Sequence, residues 1–286
     1  MNQMNYEFNL EEWLLRCPLT ENYGHYHGEA ITSPCDLCNN EWLRREIRDQ
    51  FDWGEPVPMD VFVHSIGEPE NRFATKIGGL PYRPAELPWP TTREGRSMAL
   101  IAQFNFSNSR DIVGDLPGDL LLIFGDDADG PIEPLHFEWQ PLGLSNLVSE
   151  LPGDQMPISP CFGHRCRTVS YPNATYRDDS PGKDPQCQGT DVWSSYWLLQ
   201  YQATQIGRAP FFIQDGDEDM PGVPLCTIAS VQPDPHKTFP WVNHPEPLCP
   251  EDEWRSGDGE LMIGDLGCIF VFIDDDGRLH ADESCY

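Results

Sequence analysis

The chain has 286 residues, of which 39% are hydrophobic and 11% aromatic, enough for a real core and inconsistent with global disorder. Its formal net charge is −29 with a sequence pI near 4.3, so a nucleic-acid backbone or an anionic membrane would be repelled by its surface. The apolar runs "LLLIF" and "CIFVF" are too short to span a bilayer, and "MNQMNYEFNLEEW" has no basic patch or continuous apolar stretch; the expected compartment is the cytoplasm. In chain order, "NLEEWLLRC" places Leu10, Trp13 and Leu14 at helical spacing. A loop carrying several cysteines and histidines follows. "NNEWLRREIRDQF" then sets Trp42, Leu43, Ile47 and Phe51 on one helical stripe that Asn39 or Asn40 can cap. Residues 1–55 thus read as a short helical, cysteine-bearing arm that ends in the linker "FDWGEPVP".

Residues 56–286 read as a β-rich body. "DVFVHSI" alternates, and "MALIAQFNF" and "DLLLIFGD" have the near-continuous apolar character of strands buried on both faces. From about 152 to 192 hydrophobicity falls, and this stretch reads as a cysteine-rich insertion or long loop. Three blocks recur in order. "KIGGLP" at 76–81 is echoed by "QIGRAP" at 205–210, and Ile101-Ala102 by Ile228-Ala229. "GDLLLIFGDDADG" is echoed by "GCIFVFIDDDGR", aligned from Gly118 to Asp126 and from Gly267 to Asp275. The expected class is α+β: a mainly antiparallel sheet body built from two similar units, about 60–150 and 193–286, with the helical arm in front.

The same blocks resemble the YwqG-like family, a bacterial family of unestablished function. The resemblance rests on Lys76-Ile77-Gly78-Gly79-x-Pro81, Trp89-Pro90, the strand ending in Ala102-Gln103, "LPGDLLLIF", Gly207-x-x-Pro210…Gln214 and "MIGDLGCIFVFI". It covers roughly residues 57–286. It departs from the family where "CTIASVQ" stands, and it omits both the arm and the 152–192 segment. It implies an α+β body and supplies no catalytic residues.

Candidate chemistry is read from the residues. Cys35 and Cys38 form a CxxC pair; with Cys17 and either His25 or His27 they can complete a tetrahedral Cys3His zinc site, the alternative being free or redox-active thiols. Cys161, His164, Cys166 and Cys187 offer a second such set on the polar loop, against spare thiols or a Cys-His nucleophile pair. The aspartate turns "GDDADG" and "DDDG" lack calcium-loop spacing, since Phe272 falls where the first ligand belongs, and they read as turns between strands. "KIGGLPYRPAELPWP" reads as a proline-stiffened corner. Tyr82, Trp89, Phe211, Phe212 and Gln214 either pin this corner and its echo to the core or line a binding groove.

The functional expectation is a non-catalytic protein-binding module with structural zinc. Its partner would be a basic protein, as for an immunity-type protein that neutralises a toxin. A plain solvated acidic surface competes with that reading of the charge. The alternative function is a metal- or thiol-dependent hydrolase working through the 161–187 loop.

Overall fold

The apolar runs become strands whose two faces are both covered. The computed structural model describes residues 48–126, 134–156, 158–177, 201–210, 212–213, 220–231 and 261–285, together with positions 9, 11–12, 41 and 44–45. The strands are β1 (Phe51–Asp52), β2 (Val57–Ile66), β3 (Lys76–Ile77), β4 (Ala99–Asn105), β5 (Leu120–Gly125) and β6 (His136–Gln140). They continue with β7 (Cys161–Ser170), β8 (Thr175–Tyr176), β9 (Gln205–Gly207), β10 (Val223–Ala229), β11 (Cys268–Ile273) and β12 (Leu279–Ser284). One α-helical turn, α1 (Arg110–Val113), follows β4. β1 and β8 pair with each other, and the other ten strands form one antiparallel sheet in the order β12-β11-β10-β9-β2-β7-β3-β4-β5-β6. That sheet curls into a nearly closed barrel. Leu279 and Ala281 of the first edge pack on the same interior cluster as Phe137 and Trp139 of the last.

The order is symmetric about the central β2–β7 pair; "KIGG" and "QIG" take corresponding places in it, but Ile101-Ala102 and Ile228-Ala229 do not, since Ala102 stands opposite Ile77 as Cys226 stands opposite Ile206. "KIGG" supplies β3, and "QIG" supplies β9. β4 and β10 each carry a bulge, between Leu100 and Ala102 and between Pro224 and Cys226. Each bulge turns its extra residue, Ile101 or Leu225, into the main core. The block alignment expected from glycine-to-aspartate spacing is one residue out of register. Ile123 stands opposite Ala102, and Val271 opposite Cys226, so Ile123 corresponds to Val271 and not to Phe272. Ile123 and Val271 both face the interior, whereas Phe272 lies in an outer cluster. A slip of one would exchange the two faces, so burial decides the register.

The α+β class with a helical arm is corrected by the structure: among the described residues the fold is mostly antiparallel sheet, with no helix of seven or more residues. Glu11, Glu12, Glu41, Arg44 and Arg45 have helical backbone. The second stripe, however, does not run through Phe51. Arg48–Gln50 tightens into a 3₁₀ turn, and Phe51 opens β1, paired with Tyr176 and 1% exposed. Frequent proline and glycine keep the remaining elements short.

Residues 161–170, expected within an insertion, are instead the longest partner of β2, paired from Val57↔Ser170 to Ile66↔Cys161. Their polar composition has a tertiary reason. Arg165 and Arg167 both meet the carboxylate of Asp60 across the β2–β7 ladder, and His164 meets Ser65.

Candidate functional site

Strand parity sorts the chemistry-bearing residues of β2 and β7. Successive side chains in a strand point to opposite faces. Phe62 and Cys161 both belong to the main interior core, and Asp60 and His64 share their face of the ladder. Val61, Val63 and Cys166 belong to a second cluster on the other face, with Tyr201 and Ala203. Cys161 is therefore on the opposite face from His164 and Cys166, and the three cannot close around one ion while the strand persists. Among the described residues no group of three or more His, Cys, Asp or Glu is placed to hold a metal. Cys187 lies outside the described residues, as do Cys17, His25, His27, Cys35 and Cys38 of the N-terminal candidate site.

Burial also sets the chemistry of these groups. The Cys161 thiol is pushed up to about 12 by desolvation, which disfavours a nucleophilic thiolate. His164 is lowered to about 4 by burial and is therefore a neutral imidazole, with Nε2 2.7 Å from Ser65 Oγ and the Phe162 ring 5.2 Å away. This serine–histidine pair is sealed at 5% and 6% exposure. His64 is lowered to about 3, chiefly by burial, and neither of its ring nitrogens has a partner among the described residues.

A second group of polar residues ties the ladder to α1. Asp60 is fully buried and accepts from Ser109 Oγ at 2.6 Å and from Arg167 Nε at 2.6 Å and Nη2 at 3.2 Å. Arg165 Nη1 approaches the same carboxylate at 3.4 Å. Arg167 also grips Asp111 and donates to the Asn108 carbonyl at 3.1 Å. Ser109, at the N-terminus of α1, makes no side-chain cap bond; its hydroxyl serves Asp60.

The Gly-Pro corner is built around a buried ammonium that the sequence reading did not single out. Lys76 is fully buried; its Nζ donates to Glu68 Oε2 at 2.7 Å and to the Leu80 carbonyl. Desolvation lowers its pKa, opposed by the Glu68 carboxylate. Glu68 Oε1 accepts the Leu80 N–H at 2.6 Å, so the carboxylate closes the loop over the lysine. Gly78 and Gly79 have φ of +61° and +69°, and a Cβ at Gly79 would stand 2.0 Å from Glu68 Oε1. Next to it, Gln103 donates to the carbonyls of Arg72 and Ala74 at 2.9 and 2.7 Å and accepts the Tyr82 N–H at 2.7 Å. A lone lysine among glycines, prolines and apolar residues was the signal available for this corner.

Tyr82 and Trp89 sit where this corner meets the barrel. Tyr82 is buried and its hydroxyl accepts the Leu144 N–H at 2.8 Å. Trp89 donates from Nε1 to the Met98 carbonyl at 2.8 Å, meets Phe124 edge-on at 5.7 Å and lies 5.9 Å from the Arg83 guanidinium. Phe212 packs elsewhere, 4.7 Å from Phe270 on the outer face of β11. Trp89 and Phe212 therefore belong to two different clusters. Phe211 and Gln214 lie outside the described residues.

A cleft of about 1110 Å³ lies between the described N-terminal residues and β7. Arg44 anchors it, donating to Tyr201 Oη at 2.6 Å and to the Val169 carbonyl at 3.1 Å with its guanidinium 4.0 Å from the Tyr201 ring. Sequence reasoning missed this cleft, because its lining residues come from segments more than 100 residues apart.

Two comparisons bear on identity. Residues 75–138 match the family model described as Domain of unknown function (DUF1963), a segment that spans the Lys76 corner and β3 to β6. No curated protein matches the chain. Among the described residues no helix is long and apolar enough to cross a membrane.

Proposed function

We propose that the chain is a non-catalytic protein-binding module whose partner is a basic protein, an immunity-type protein neutralising a cationic toxin being one concrete form. The observation that carries this reading is the charge, 47 Asp and Glu against 18 Lys and Arg. Such an excess raises the encounter rate with a cationic partner and suppresses encounters with anionic ones. The burial of Cys161, Cys166, Ser65 and His164 supports binding over the hydrolase alternative at this strand, since a substrate cannot reach them without opening the sheet. The test is affinity capture with the tagged chain, followed by association kinetics of the recovered partner across ionic strength. We expect a basic partner whose association rate falls at least about tenfold between low and high salt. A neutral or acidic partner, or a rate indifferent to salt, would overturn the reading.

The same reading includes one structural zinc at Cys17, Cys35, Cys38 and His25 or His27, because a CxxC pair with a third cysteine and a nearby histidine matches a closed tetrahedral site. Elemental analysis after chelator-free purification should find about one zinc per chain, lost in Cys35→Ser. Metal-free protein would sink this part. We also propose that the match over 75–138 is part of a longer YwqG-like body. The motif residues Gly207 and Pro210 and the "CIFVFI" strand extend it to the second half of the symmetric sheet.

A further inference from the structure

We propose that the side chains of Lys76 and Glu68 condense, with loss of one water, to an isopeptide bond that locks the Gly-Pro corner. The chain's choice of cation points to this pair. It has 15 arginines and 3 lysines. Arginine is the usual cation of a buried ion pair, since its guanidinium stays charged and its planar fork fits a carboxylate. Every other ion pair among the described residues has arginine or histidine as its cation. Yet the lysine stands at a fully sealed position: its side chain is 0% exposed, that of Glu68 35%. A buried amine can do what a guanidinium cannot, which is to lose its proton and act as a nucleophile.

The geometry holds the reacting atoms together. Nζ lies 2.7 Å from Glu68 Oε2, and its bond to the Leu80 carbonyl fixes it there. The carboxyl carbon is one C–O bond beyond, so the amine is held beside the atom it attacks. Glu68 Oε1 accepts the Leu80 N–H at 2.6 Å. That donor stabilises the negative charge that gathers on Oε1 during attack, as a backbone oxyanion hole does. Oε2, on the lysine side, is then the oxygen that leaves. Glycine at 79 is what lets the carboxyl seat: a Cβ there would stand 2.0 Å from Oε1 and 2.8 Å from Cδ.

Burial and a neighbouring cation favour the protonation state the reaction needs. Desolvation disfavours the ammonium; the Glu68 carboxylate opposes this, and the Arg72 guanidinium adds to it. A proton passing from Nζ to Oε2 along their hydrogen bond leaves a neutral amine beside a neutral carboxyl, which removes two charges from a site poor in water. The Nζ–Cδ bond then forms and the Cδ–Oε2 bond breaks. Oε2 departs as water with two of the three ammonium protons, and the third stays on the amide nitrogen. No oxidant, reductant or co-reactant takes part. The water leaves on the exposed side of Glu68, and the sealed lysine end admits none for the reverse reaction. The product closes a covalent ring through residues 68–76 with no charge left to bury.

The experiment is the intact mass of the full chain, incubated folded at neutral pH, then denatured and reduced. The wild type should be lighter than its sequence by one water, the lighter fraction growing with incubation until it dominates. Trypsin should fail to cut after Lys76, and the segment ending at Arg72 should be recovered joined to the one beginning at Phe73. Lys76→Arg keeps the charge pair without the nucleophile, and Glu68→Ala removes the carboxyl; both should have their full sequence mass. A wild type that stays at its full sequence mass overturns the proposal, and this needs no variant to fold. A loss of water that persists in Lys76→Arg or Glu68→Ala also overturns it, since the dehydration then lies elsewhere, as at the exposed Asp276-Gly277 turn.

Discussion

Replacing Asp60 with alanine should lower the stability of the protein by about 3–5 kcal/mol, the cost of removing one member of a buried ion pair. The carboxylate is fully buried and is the common acceptor for Arg165, Arg167 and Ser109. Its loss leaves two guanidinium groups on the β2–β7 ladder without their shared partner and frees the hydroxyl that ties α1 to the sheet. Arg167 keeps Asp111, whose side chain is 63% exposed and therefore compensates weakly. Denaturant unfolding of the wild type and of Asp60→Ala measures the effect. Adding Arg167→Met to the alanine variant should recover part of the loss, because the uncompensated charge goes with it. A drop below about 1 kcal/mol, or strictly additive single and double variants, would show that the network does not carry the ladder.

The same network explains what could and could not be read from the amino-acid order. "LLLIF" and "CIFVF" declared themselves because both faces of β5 and β11 are apolar. Ile123 and Val271 enter the interior, while Phe124 and Phe272 meet the outer clusters. β7 did not, since His164, Arg165 and Arg167 look like a solvated loop until Ser65 and Asp60, 99 and more residues away, are placed beside them. The helical stripe ending at Phe51 failed for a comparable reason. Helical spacing is a local signal, and the pairing of Phe51 with Tyr176, 125 positions along the sequence, takes that residue into a strand. Lys76 was visible only as part of a motif. Its role as a buried ammonium enclosed by Glu68 and the Leu80 carbonyl depends on the turn at Gly78 and Gly79. The cleft beside β7 is lined by residues from both ends of the described sequence between Asn9 and Tyr171, and no local pattern marks it.

Acidification from pH 6.5 to about 5 should destabilise the protein by an amount on the order of 3 kcal/mol, above the range in which most carboxylates titrate. His64 and His164 are held neutral in the fold, with pKa values of about 3 and about 4 against 6.5 in the unfolded chain. Between these limits the unfolded state binds protons that the folded state refuses, so stability is full above 6.5 and is lost as pH falls. Each histidine contributes a slope of about 1.4 kcal/mol per pH unit within its window. Glu138 and Asp111 have lowered values as well, and their contributions disappear only at more acid pH. Urea unfolding at a series of pH values from 7.5 to 4.5 checks the slope. His64→Met isolates one half of it. At pH 7.5 the replacement should be neutral or mildly stabilising, because the imidazole nitrogens it removes have no partner among the described residues. Below 6.5 its stability should fall about half as steeply as that of the wild type. Stability that stays level down to pH 5, or a variant as acid-sensitive as its parent, would mean that His64 reaches solvent or a partner when it protonates.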